Sequence, residues 1–503
     1  MSGAHRTTAI SGVVALCVVA PIIVLVRLGW GADLDAASEI LPLVRNTLAL
    51  TVLTVIGAIG LGVPLAIVTA HCDIPYRRFW LAALVAPLAV PSYIGAFTYF
   101  AAFGSGGEIS NWVGWDVPKV EGLWGTALVM SLFTYPLVLL TTRASLKQLD
   151  GRMVEAARSL GATLPESLRR VVMPRVRSGI AGGALLVALY TMSDFATPSI
   201  LGFDTFTRVI FVEYNAFGLD RAALLSLVLL VIIAAVLMFE SRVGVEEERA
   251  QHPFSIELTG VARPALMGLM VVTLMAALVL PALVFGAWLL GDETSGVSWA
   301  LVWNTLMPAL LAAFGAVLLA LPVASGAARG GLGRWFERLA TLGYGIPGIV
   351  LGTALLYVGL RVDWLYQTLT LLVLAHILKF LPLSIGPLRD AVARSDQNLT
   401  NAARGLGATP AEAFRRVAFP MLLPAAIAGG ALVFLEVMRE LPLTLLLRPT
   451  GLETLTTELW QVYEAGYFGR AAVPSLLLIA ISAVGVVFML TGERGLNDVG
   501  VRS

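Results

Sequence analysis

Glu155-Ala-Ala-Arg-Ser-Leu-Gly-Ala-Thr163 and Asn401-Ala-Ala-Arg-Gly-Leu-Gly-Ala-Thr409 are two copies of one motif, 246 residues apart. The match continues outward from them. Leu168-Arg-Arg-Val171 through Pro174 returns as Phe414-Arg-Arg-Val417 through Pro420, and Ala181-Gly-Gly183 returns as Ala428-Gly-Gly430. Farther away, Asn46-Thr-Leu48 is echoed by Asn304-Thr-Leu306, and Phe203-Asp-Thr-Phe-Thr207 by Leu452-Glu-Thr-Leu-Thr456. The order is the same in both sets, so the chain is a tandem duplication.

The sequence between these marks is apolar. Of 503 residues 58% are hydrophobic and only 13% charged, and the mean hydropathy is +0.84. That is more apolar surface than a soluble fold of this length can bury, so the chain belongs in a bilayer. Runs long enough to cross about 30 Å of hydrocarbon fall near 8–28, 46–70, 79–103, 123–142, 179–200 and 222–240. A second set falls near 264–290, 301–325, 335–358, 367–386, 425–447 and 471–491. Lipid offers backbone groups no partner, so the runs are helices, and barrel strands of alternating polarity are absent. The expectation is an all-α integral membrane protein of about twelve transmembrane helices in two six-helix repeats.

Charge sets the orientation. With the N-terminus inside, about 25 of the 34 Lys and Arg residues lie on the cytoplasmic side, among them Arg77, Arg78, Arg329, Arg334 and Arg338. Both termini are then cytoplasmic, and acid-leaning stretches at 33–39, 108–121 and 292–293 face outward. Because each half has an even number of spans, the halves are parallel repeats about an axis along the membrane normal, with a translocation path on that axis. Residues 1–245 form the first domain, 246–263 a cytoplasmic linker, and 264–503 the second domain.

Each copy of the motif sits in a cytoplasmic loop, about 150–178 and about 394–424, too long for a simple connector. A helical run from Arg152 to Leu160 ends at Gly161, suited to a left-handed C-terminal position. Thr163-Leu-Pro-Glu166 then has the form of a capping box for a second short helix. Gly407 and Thr409-Pro-Ala-Glu412 repeat the plan, and Pro174 and Pro420 are expected to end the short helices. Capped surface helices with closely packing alanines would show some of these features, but two copies at matching positions tell against so plain a role.

The pattern Glu-Ala-Ala, three residues, Gly, then Pro resembles the EAA loop of binding-protein-dependent ABC importer permeases, so the two halves resemble MetI-like permease domains. The resemblance implies that the loops couple to a cytoplasmic ABC ATPase homodimer through Glu155, Ala156, Ala157, Gly161, Thr163 and Glu166, and through Asn401, Ala402, Ala403, Gly407, Thr409 and Glu412. Asn401 departs from the pattern where an acid is expected. The chain carries no phosphate-binding loop of its own, so no cofactor is expected in it. ATP and Mg would be bound by the partner ATPase, and this chain is not itself an enzyme. A periplasmic substrate-binding protein, membrane lipid and a bacterial inner-membrane location are implied as well, and no nucleic acid.

Ionisable groups at membrane depth are functional candidates. Asp194 and Glu440 are again 246 residues apart, at the outward end of the fifth span of each half, with Tyr190, Glu436 and Arg439 nearby. An internally neutralised ion pair is the alternative for these acids. The fused architecture and the Glu-Leu-Pro and Asp-Thr-Phe-Thr stretches are similar to ferric-iron permeases. That implies Fe(III) as cargo, met by oxygen donors such as Asp194, Glu436, Glu440, Tyr190 and Tyr463. Thiamine and polyamine permeases share the machinery. His5, His71, His252, His376, Cys17 and Cys72 are scattered, so no resident metal site is expected. A secondary transporter would not need two matched, capped inner loops, and an intramembrane enzyme would need catalytic motifs that are missing.

Overall fold

The computed structural model describes residues 2–32, 36–240, 262–290, 296, 298–395 and 397–483. Most of the expected linker (246–261), the acidic positions Asp33, Asp292 and Glu293, and the end of the last expected span (484–491) lie outside the described residues. Among the described residues there is no β-strand.

Among the described residues, eight unbroken helices are long and apolar enough to cross a membrane. They are the first span Thr7–Gly29, second Ser38–His71, fourth Gly122–Lys147, fifth Leu168–Ser193, sixth Leu219–Met238, seventh Arg263–Leu290, eighth Trp299–Ala328 and eleventh Pro410–Arg439. The third, ninth and tenth crossings are bent pairs, and the apolar helix Phe468–Ala483 stands in the twelfth place.

Three of the expected runs, 79–103, 335–358 and 367–386, are helical but broken by a bend. Arg77–Ala89 turns by 87° into Ser92–Ala102, Leu332–Gly345 by 104° into Gly348–Gly359, and Leu369–Phe380 by 53° into Pro382–Arg394. Proline stands at each break. At the first two its ring forces the preceding residue out of the helical region, so Val90 (ψ 117°) and Ile346 (ψ 121°) are extended. At the third, Leu381 before Pro382 stays helical (φ −47°, ψ −41°) and the bend is the shallowest of the three. Pro91 and Pro347 then cap the next arm, where a missing N–H is harmless.

A correction concerns Pro174 and Pro420. They do not end the short loop helices. Each stands just after a π-turn, Leu168–Val172 or Phe414–Ala418, through which the helix runs on into the fifth or eleventh span. The wider turn gives room to a ring that would otherwise strike the carbonyl four residues back.

The two halves interlock through their first spans. The first span packs on the eighth and both arms of the ninth, while the seventh packs on the second and third. Ser11 Oγ donates to the Pro322 carbonyl at 3.2 Å, Tyr99 OH to the Ala276 carbonyl at 3.0 Å, and Trp288 Nε1 to Glu108 Oε1 at 2.8 Å. Each half is thus clasped by the opening helix of the other.

The sequence echoes meet in space. Thr47 Oγ1 accepts from the Phe206 amide at 3.2 Å, and Thr305 Oγ1 accepts from the Leu455 amide at 2.8 Å. Helices four and five also approach closely in both halves. A Cβ on Gly183 would fall 2.7 Å from Val138 Cα, and one on Gly429 would fall 2.8 Å from Ser384 Cα. Small residues let the backbones approach this closely, and each motif loop joins the two helices that do so.

Candidate functional site

The loop helices end in the same way twice. After Arg152–Ser159, Gly161 takes φ +88°, its amide donates to the Arg158 carbonyl at 3.0 Å, and the Ala162 amide to the Ala157 carbonyl at 3.1 Å. After Gln397–Gly405, Gly407 takes φ +92°, with bonds to Arg404 and Ala403, both at 3.1 Å. This paired bonding is the Schellman ending, whose left-handed residue is glycine because it has no Cβ. The third residue of each motif thus supplies the carbonyl that closes the turn.

The restart differs between the copies. Thr409 and Glu412 form the full capping box: the Thr409 amide donates to Glu412 Oε2 at 2.9 Å and the Glu412 amide to Thr409 Oγ1 at 3.3 Å. In the first copy Glu166 reaches forward to Arg170 at 3.0 Å. Glu155, Ala156, Asn401 and Ala402 are exposed, and Val154, buried among Leu146, Leu149 and Val176, anchors the first loop to the bundle. Two apolar side chains in the loops, Leu160 at 89% and Leu406 at 90%, are almost fully exposed, and nothing in their composition marked them in the sequence. They too are 246 residues apart, each just before its left-handed glycine.

Both loops lie at one end of the molecule with the basic residues noted above. His71 Nε2 lies 3.1 Å from the Leu146 carbonyl, which sets the end of the second span beside the end of the fourth, where the first loop begins. Arg389 Nη1 pairs with Glu337 at 3.0 Å, which sets the ninth span beside the second.

Farther along the axis, polar side chains gather where the fifth and eleventh spans end and the third and ninth break. Asp194 ends the fifth span and caps the short helix Ala196–Ile200. Its carboxylate accepts from Ser92 Oγ (2.6 Å), Thr197 Oγ1 (2.7 Å) and the Ala196 amide (2.9 Å), and Tyr190 OH lies 2.9 Å from Ser92 Oγ. Glu440 holds the matching place, but Lys379 Nζ meets it at 3.1 Å, with side chains only 12% and 6% exposed. A Cβ on Gly348, which stands where Ser92 stands in the first half, would fall 2.0 Å from Glu440 Oε1.

Arg439 grips Glu436 and donates from Nη1 to the Leu88 carbonyl at 2.9 Å, crossing from one half to the other. Tyr463 is directed elsewhere, donating to the Ile200 carbonyl at 3.2 Å. The acids that the sequence singled out are therefore partnered separately, by hydroxyls in one half and by cations in the other. Lys379 was legible as a lone cation inside an apolar run. Ser92 and Leu88 carried no such signal.

The model of the family described as binding-protein-dependent transport system inner membrane component matches this chain twice, at residues 62–242 and 316–496. The Fe(3+)-transport system permease protein FbpB 2 of Haemophilus influenzae is 28% identical over 89% of each chain. The probable ABC transporter permease protein y4fN of Sinorhizobium fredii is 26% identical over 93% of this chain and 91% of its own. The sulfate transport system permease protein CysW of Synechocystis is 30% identical over 40% of this chain and 78% of its own.

Proposed function

The chain belongs to the family of binding-protein-dependent transport system inner membrane components, and from that membership we propose that this ABC importer permease carries Fe(III) across the inner membrane into the cytoplasm. A periplasmic binding protein delivers the ion, and a cytoplasmic ATPase dimer drives the step. The observation that carries the mechanism is the doubled loop. Two equivalent exposed elbows suit a partner that presents two equivalent clefts. Because helices four and five of each half pack backbone to backbone, a push on the elbow between them is delivered to the axial cluster as a rigid movement. Both termini and both loops face the cytoplasm in this reading, which the excess of Lys and Arg on that side of the topology supports. Domains 1–245 and 264–503 act as the two moving halves.

Two observations support the cargo. The Fe(3+) permease resembles this chain along most of both lengths, whereas the sulfate permease matches well under half of it. The axial cluster also holds Asp194, Glu436 and Glu440 against Arg439 and Lys379. Among the described residues no cation pairs with Asp194, so the net charge there suits a cation passing through. Every one of these groups already has a protein partner, which fits a path of brief contacts and not a resting site.

Vesicles holding the permease with its ATPase and binding protein should accumulate ferric ion on addition of ATP and leave sulfate outside. Uptake of sulfate without iron would refute the cargo assignment and leave the coupling reading standing.

A further inference from the structure

We propose that the first arms of the two broken spans are a matched pair of binding sites for anionic phospholipid headgroups. The basis is a repeat that the permease reading leaves unused. Arg78-Phe79-Trp80 opens the first arm of the third span, and Arg334-Trp335-Phe336 stands 256 residues later in the same arm of the ninth. In both copies the arginine is exposed and the aromatic beside it is largely bare, Phe79 at 64% and Trp335 at 61%. Tyr76 (83%) and Leu332 (65%) extend the two apolar patches. Arg338, one turn on and also exposed, lays its guanidinium 5.7 Å from the Trp335 ring centre.

These faces cannot turn inward. The opposite side of the ninth-span arm presents Gly333, Glu337, Ala340 and Gly343 to the bundle, and a Cβ on Gly333 would fall 2.0 Å from the Gly326 carbonyl. Any rotation that hid Trp335 would bring a side chain into that backbone contact. On the other arm Tyr76 holds a left-handed φ of 54°, which an aromatic residue seldom adopts, and it holds it pointing outward.

A lipid headgroup is the occupant that the placement favours over a soluble acidic protein. Each arm leads across a bend of 87° or 104° into a buried membrane arm, and the arginines stand in its opening turns, at the edge of the hydrocarbon. Arginines interleaved with aromatic and aliphatic side chains on one helix face match the boundary between acyl chains and phosphate. The clusters lie at the coupling-loop end, so the sites belong to the leaflet on that side. Near a charged surface each arginine raises affinity for an anionic membrane about fivefold.

The test uses the full chain in detergent micelles doped with phosphatidylglycerol or phosphatidylcholine brominated on the acyl chains. The readout is quenching of the Trp335 fluorescence, taken as the difference from Trp335→Phe. Brominated phosphatidylglycerol should half-quench at a several-fold lower mole fraction than the choline lipid. Arg78→Gln/Arg334→Gln/Arg338→Gln should erase the difference, with Arg334→Gln alone as the milder variant should the triple unfold. Equal quenching by the two lipids in the wild type, or a preference that survives the arginine changes, overturns the proposal. Abolition of the preference by inorganic phosphate, but not by sodium chloride of equal ionic strength, would mark a free-phosphate pocket and overturn it as well.

Discussion

Arg439 of the second half is hydrogen-bonded to the Leu88 carbonyl of the first at 2.9 Å, across 351 residues of sequence. Leu88 lies in the short turn that leads into the Pro91 break, so the bond ties the end of the eleventh span in one half to the break of the third span in the other. The guanidinium can do this while holding Glu436 because its donors point two ways in a fixed plane.

Arg439→Lys should therefore weaken the tie while keeping the charge. A hydrogen bond from a charged donor is worth about 1.5–3 kcal/mol, and transport should fall about tenfold while ATP hydrolysis without cargo rises. Paired uptake and phosphate-release assays in proteoliposomes check this. Wild-type coupling in the Lys variant would show that the bond is incidental.

Gly161 and Gly407 test the elbows. An added Cβ meets no atom within 4 Å at either position, so replacement acts through the left-handed backbone alone. A β-branched residue there costs about 1–3 kcal/mol per site. Gly161→Val/Gly407→Val should insert normally, by protease protection, and fail to transport. Full uptake by the double variant would remove the loops from the mechanism.

Leu160 and Leu406 contact almost nothing in this chain, so Leu160→Asp/Leu406→Asp should melt within about a degree of the wild type. If they seat in the ATPase, removing two apolar anchors should weaken assembly tenfold or more, at about 1–2 kcal/mol for each. Affinity of the purified ATPase for the permease measures it, and unchanged affinity would clear both leucines of that role.

Lys379 and Glu440 form a buried ion pair. Removing one partner of such a pair leaves a stranded charge and costs about 3–5 kcal/mol. Lys379→Met should lower the melting temperature in detergent by several degrees, and adding Glu440→Gln should restore much of it. A harmless Lys379→Met would mean that Glu440 is not held by this contact.

The sequence was most informative where physics acts locally. Helix lengths followed from apolar runs, the glycine endings from Gly161 and Gly407, and the duplication from matched offsets. It was least informative about direction. Hydropathy runs straight through Pro91 and Pro347, where the helices turn by 87° and 104°, because lipid-facing composition does not change at a bend. Pro174 and Pro420 looked like helix stops, since a π-turn leaves no compositional mark. Asp194 and Glu440 were found as equivalents, yet one is held by hydroxyls and the other by lysine. Those partners, Ser92 and Lys379, lie 102 and 61 residues away and are brought close only by the folded bundle.

On the proposed function, force enters this chain from outside it, through the two elbows. The direct measurement is ferric-ion accumulation in proteoliposomes that contain the binding protein and the permease, with and without the ATPase. Accumulation should require both the ATPase and ATP, and Gly161→Val/Gly407→Val should abolish it. Accumulation against a gradient by the permease without the ATPase would contradict the account.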